Sequence, residues 1–220
     1  MSKALNKSSR YLAMESLEKI EKNQAYSNIE LNRIIEASTL SREDAGLLTQ
    51  LVYGVTQHKL TLDFYLAAYI KSGKKIESWV RQILRLSIYQ ALYLDRIPDH
   101  AIVDEAVKIA KEKGHKGTGN FVNAVLRNFQ RDHQKDNLRK FEEIKNPLIY
   151  LETKYSLPKA IVEELVQDIG KEKTEKVADA FLKQPHASVR VNEKYISRQD
   201  ALGKLKAEGF DVQKSQVSSF

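Results

Sequence analysis

Cysteine is absent from these 220 residues. That excludes disulfides, thiolate metal ligands and a cysteine nucleophile, and it suits a reducing compartment. Proline and glycine are scarce, at 4 and 9 residues, and with 42% apolar residues they describe a packed globular chain rather than a disordered one. No apolar run approaches the roughly 20 residues that span a bilayer. Met1 to Leu12 also lacks the apolar core of a signal peptide. A soluble, cytoplasmic protein is the expectation. The five histidines (His58, His100, His115, His133, His186) are scattered without ligand spacing, so no metal site is expected.

What the chain does have is helical periodicity and an excess of positive charge. From Ser8 to Asp132 apolar residues recur at intervals of three and four, as an amphipathic helix requires. Ala13, Leu17 and Ile20 share one face. Ser27 with Glu30 reads as a capping box, and Ser41 with Asp44 as a weaker version of the same start. A helix near Leu60–Ile70 meets a stop at Lys71, Ser72 and Gly73. The run Ile76–Leu94 is apolar over a wide arc and reads as the central helix, broken by Asp95–Asp99 around Pro98. Asp99 is expected to cap the next helix. A loop over Gly114–Gly119 then leads into a last helix carrying Phe121, Val125 and Phe129.

Residues 130–143 are almost wholly polar and read as a linker or a solvated helix, followed by two helical segments punctuated by Pro147, Pro158 and Pro185. At Ala187 the character changes. Ser188–Asn192 alternates as a strand should, a helix starts at Ser197, and Phe210–Val212 reads as a second strand. Two strands are too few to bury a core, so the C-terminus reads as cut. The expected organisation is three parts: 1–133, 134–185 and 186–220.

The net charge of +7 favours an anionic partner. Residues 1–133 hold 20 basic and 15 acidic residues, 134–185 hold ten of each, and 186–220 hold six against four. Three stretches of the first part lack acids: Met1–Met14 (Lys3, Lys7, Arg10), Phe64–Ile76 (Lys71, Lys74, Lys75) and Lys113–Arg131. In the last, Asn120, Asn123 and Arg127 fall on one helix face, opposite Phe121, Val125 and Phe129. Basic residues suit phosphates, and asparagine suits phosphate, sugar or base edges. An ordinary polar surface helix has the same pattern, so charge alone leaves that account standing. The glycines at 114, 117 and 119 follow a helix and fail as a nucleotide-binding loop. Asp104 with Glu105, and Glu163 with Glu164, are adjacent rather than face-sharing. None of these motifs points to catalysis.

The block Gln82–Asn128, QILRLSIYQALYLDRIPDHAIVDEAVKIAKEKGHKGTGNFVNAVLRN, resembles the NusB fold family, as do Arg10 with Ala13 and Leu17, and LVYGV at Leu51–Val55. The continuation PHASVRVN at Pro185–Asn192 and KLKAEGF at Lys204–Phe210 resembles the RsmB (Sun/Fmu) family of ribosomal-RNA methyltransferases. The resemblance implies a mainly α fold: a NusB-like RNA-binding bundle, a helical connector and an incomplete α+β, RNA-recognition-type start of the methyltransferase part. It implies, for a longer parent, methyl transfer from S-adenosylmethionine to cytosine carbon-5 of small-subunit ribosomal RNA, with a cysteine attacking the base. The chain itself, without cysteine, is expected to bind no cofactor and to be inactive alone. RNA-facing roles fall to Lys7, Arg10, Lys116, Asn120, Asn123 and Arg127. Arg190 and Asn192 match the opening strand of the methyltransferase part. A non-enzymatic antitermination factor of the NusB type, working with a small ribosomal protein, is the alternative. A helical interaction scaffold without RNA is a third class, and self-association stays open.

Overall fold

The computed structural model describes residues 7–23, 26–183 and 187–215. The chain divides into two compact units, residues 1–182 and 183–220.

In the first unit, seven helices build the bundle: α1 (Ser9–Asn23), α2 (Ser27–Ala37), α3 (Arg42–Gln57), α4 (Lys59–Ala67), α5 (Ser78–Tyr93), α6 (Asp99–Lys113) and α7 (Lys116–Gln134). A 3₁₀ turn at Phe141–Glu143 leads to α8 (Pro147–Tyr155), α9 (Lys159–Ile169) and α10 (Lys171–Leu182). The central helix is α5, as its wide apolar arc requires. It packs against α1, α3, α4, α6 and α7, and even its Gln82, Arg85, Ser87 and Gln90 are buried. Gly54 of α3 admits the Tyr89 ring, since a Cβ there would meet it at 2.0 Å.

Burial of Arg85 is made tolerable by full pairing, the condition under which an interior charge survives. Its guanidinium donates to both carboxylate oxygens of Asp63 (2.8 and 2.6 Å) and to Glu21 (3.1 and 3.2 Å). Glu21 also accepts from Gln82 at 2.6 Å and pairs with Lys59 at 3.1 Å. Charge thus ties the C-terminal end of α1 to α4 and to the middle of α5.

Several local expectations change. The Ser27 capping box does not form. Tyr26 precedes the helix without a side-chain cap, and Glu30 turns instead to Arg33 at 2.8 Å and Lys19 at 3.2 Å. The weaker start at Ser41 does cap, its hydroxyl accepting from the Asp44 amide at 3.1 Å. Asp99 is the first residue of α6 rather than its cap, and its carboxylate accepts from Gln134 at 3.0 Å. The expected loop Gly114–Gly119 shrinks to Gly114 and His115, because the His115 imidazole accepts from the Gly117 amide at 3.1 Å and starts α7 at Lys116.

The polar stretch after residue 130 is no free linker. α7 runs on to Gln134, and Phe141 stacks on Phe64 of α4 with ring centroids 5.0 Å apart. Arg139 lies 4.3 Å from the Phe64 ring. The Thr61 hydroxyl of α4 donates to the Thr153 carbonyl of α8 at 2.8 Å, and the Leu60 amide donates to the Ser156 hydroxyl at 2.9 Å. A small second core of Leu151, Tyr155, Val162 and Ala178 joins α8, α9 and α10. Glu175 gathers the Tyr155 hydroxyl at 3.0 Å and the Lys154 ammonium at 3.1 Å.

In the second unit, α11 (Arg198–Ala207) starts on Ser197, whose hydroxyl accepts from the Asp200 amide at 3.1 Å. Residues 187–192 and 210–212 form no strand among the described residues. Alternation gives a strand its faces, but a ladder needs a neighbouring strand to exchange hydrogen bonds with, and none is described here.

Candidate nucleic-acid interface

The candidate surface begins with α7, the helix of strongest two-faced character. Val122, Val125, Leu126 and Phe129 are buried, whereas Lys116, Asn120, Asn123 and Arg127 are exposed along the opposite crest. The spacing of three and four residues is what aligns the crest. Arg127 reaches toward Asp104 of α6 at 3.7 Å, with both side chains more than half exposed. Its positive charge is therefore only loosely held.

The other two sequence-derived residues lie across α6. Lys7 pairs with Glu112 and lies 4.1 Å from the Tyr11 ring centroid. The hydrogen bond to Glu112 holds its ammonium above the ordinary value. Arg10 is half-buried, its Nε donating to Gln90 at 2.6 Å. Burial pushes its guanidinium below the ordinary value, with Glu105 and Asp44 working against the shift.

Two shallow clefts flank α6. One, of about 560 Å³, is lined by Asp104, Val107, Lys108, Lys111, Glu112 and Asn123. The other is lined by Lys7, Tyr11, Glu105 and Ile109, and again by Lys108 and Glu112. The structure thus places the two predicted groups on either side of one helix. It adds Lys108 and Lys111, which lie outside the acid-free stretches because Asp104, Glu105 and Glu112 interrupt α6. Three residues apart on a helix, Lys108 and Lys111 share a face, a pattern already present in the sequence. Lys113 drops out, since it sits 3.8 Å from both Glu15 and Glu18.

No strand and no group of metal-binding side chains occurs among the described residues. The glycines of α7 serve packing. A Cβ at Gly119 would meet the Lys111 side chain at 2.6 Å, and one at Gly117 would meet His115 at 2.9 Å. No described helix is long and apolar enough to cross a membrane.

Residues 7–131 match the NusB family, and residues 157–219 match the ferredoxin-like domain of RsmF/B-like methyltransferases. The chain is 43% identical, over 95% of its length, to the probable ribosomal RNA small subunit methyltransferase B of Bacillus subtilis, and it covers 46% of that protein. It is 33% identical over 128 residues to the transcription antitermination protein NusB of Bacillus licheniformis, covering 96% of it. The chain spans about half the length of the methyltransferase relatives it matches. Among solved structures, PH0851 aligns over 97% of this chain and 48% of its own, with a TM-score of 0.56 and 19% identity. NusB of T. maritima aligns over 59% of this chain and 93% of its own (TM-score 0.53, 23% identity). NusB in a complex with NusE and dsRNA aligns over 56% and 93% (TM-score 0.52, 18% identity). These structures bear on the fold alone. The chain belongs to the NusB family, and it continues on the same polypeptide into an RsmF/B-like ferredoxin-like domain.

Proposed function

We propose that this chain is the RNA-docking part of an S-adenosylmethionine-dependent small-subunit ribosomal RNA (cytosine-C5) methyltransferase of the cytoplasm. In this reading residues 1–133 hold ribosomal RNA, 134–185 connect, and 186–220 open the methyltransferase part. The observation that carries it is the succession on one polypeptide of a NusB match and a methyltransferase-type match. An antitermination factor has no use for the second, so the NusB-type alternative loses ground. On this reading the methyl transfer itself belongs to the part of the methyltransferase relatives beyond the 46% that this chain covers. With no cysteine among 220 residues, the chain carries no nucleophile for the base, and it is expected to be inactive alone.

The crest Lys116, Asn120, Asn123 and Arg127, with Lys7 and Arg10 across α6, supplies the contacts. Phosphate neutralisation provides most of the affinity and makes it fall steeply with salt. The asparagines supply orientation and base-edge or sugar contacts. Binding of small-subunit rRNA pieces across a salt series, against an unrelated RNA, tests the reading. One piece is expected to bind preferentially, and Lys116→Gln with Arg127→Gln should lower affinity and reduce the salt slope by about two. Equal, weak binding to every RNA, unchanged by both substitutions, sinks it.

A further inference from the structure

Three consecutive residues of α7 set cations on both sides of its crest. At about 100° per residue, Gly119 and Phe121 flank Asn120 to left and right. On the Gly119 side the Lys111 stem packs so closely that a Cβ would meet it at 2.6 Å. On the Phe121 side the Lys74 ammonium lies 3.9 Å from the ring centroid. Asn120 stands between them, exposed.

Each flank extends beyond its one lysine. Lys74 belongs to the segment joining α4 and α5, where Lys71, Lys74 and Lys75 are all exposed and none has an ion-pair partner among the described residues. Gly73 turns that segment with φ of 77°. On the α6 flank Lys108 stands beside Lys111, its only ion pair among the described residues a contact of 4.0 Å with Glu105. Of the acids nearby, Glu112 pairs with Lys7, and Asp104 makes a loose 3.7 Å contact with Arg127. Lysine is a mobile point charge that suits phosphate oxygens without demanding a fixed angle.

We propose that Lys71, Lys74 and Lys75 form a second phosphate-binding rail, opposite Lys108 and Lys111, and that the RNA held across α7 is a double-stranded stem. This rests on the RNA-docking reading above. A single unpaired strand has one line of phosphates and engages one rail. Two rails with a polar crest between them fit two backbones bordering a groove. The wide, shallow minor groove of A-form RNA presents 2′-hydroxyls and base edges there, within reach of amide groups such as Asn120 and Asn123.

The test uses the full 220-residue chain with Lys71, Lys74 and Lys75 changed together to Gln, exposed positions whose change leaves the core intact. Its helical circular dichroism is compared with that of the unsubstituted chain. Binding is then measured over a salt series to an rRNA hairpin stem, and to the unpaired strand of the same sequence. Affinity for the stem is expected to fall about tenfold or more at low salt, with the slope reduced by about three. Affinity for the unpaired strand should change less than about threefold, because one rail serves it. Equal losses on both RNAs would overturn the two-backbone grip, as would no loss on the stem. Absence of RNA binding by the unsubstituted chain would instead remove the docking reading itself, a distinct result.

Discussion

Arg85 is a buried charge whose partners come from other helices, Asp63 lying 22 residues upstream and Glu21 64. With its side chain 4% exposed, the arginine cannot retreat to water. Asp63 and Glu21 keep about 30% exposure and can partly rehydrate if it is removed. Arg85→Met is therefore expected to cost about 3 kcal/mol, the low end of the range for breaking a buried pair. Urea denaturation followed by circular dichroism measures it, and a loss under about 1 kcal/mol would show that the network is idle. The crest of α7 was legible in full, since its register is local. Lys108, Lys111 and the position of Lys74 were not, since each acquires its meaning from a neighbouring helix.

At the scale of elements, the apolar stripes located every helix of the bundle, while the ends depended on competition among side chains. Glu30 had two cations within reach and abandoned its cap, whereas Ser41 kept Asp44. Glycine suggested a loop at 114–119, but an imidazole cap let two glycines enter the first turn of α7. The polar stretch 130–143 misled by composition, because a single aromatic suffices to pin it. Phe141 lies on Phe64, and the Tyr65 ring meets it edge-on at 5.5 Å. Phe141→Ala is expected to free that segment and speed trypsin cleavage at Arg139, Lys140 and Lys145 by about tenfold, for roughly 1.4 kcal/mol of easier local opening. The melting of the bundle should shift by only a few degrees. Unchanged cleavage would mean that the α4–α8 hydrogen bonds alone hold the connector.

For the molecule as a whole, pH should act in two steps. His58 is stacked on Tyr93 at 4.3 Å, and burial pushes its imidazole below the ordinary 6.5. Its folded value lies below its unfolded one, so the unfolded chain takes up the proton first. Stability is then fully present above about 6.5 and declines as pH falls below it. Glu30 and Glu175 are held low mainly by hydrogen bonds from Arg33 and Lys154. At Glu21 burial pushes upward, but Arg85 and Lys59 outweigh it. These carboxylates stabilise above the unfolded value of 4.5 and lose that contribution as pH drops through their lower folded values. Unfolding midpoints should therefore fall twice between pH 7 and 3, as flagged by those two ordinary values. His58→Phe should erase the first step alone, and its persistence in the variant would place its origin elsewhere.

The contact between α4 and α8 reaches further than the stability of one chain. Residues 157–219 match a family of their own, yet α9 and α10 lie in the same compact unit as the NusB-like bundle. The border by which these segments are inherited is thus not the border by which they fold. A recombination that exchanged the piece after residue 157 would keep α8 and its grip on Thr61, but strip α8 of the Val162 and Ala178 that complete its small core. Only partners bringing matching apolar residues to that seam would leave a foldable hybrid. The descent of such two-part proteins is in this way tied to the three short helices α8, α9 and α10.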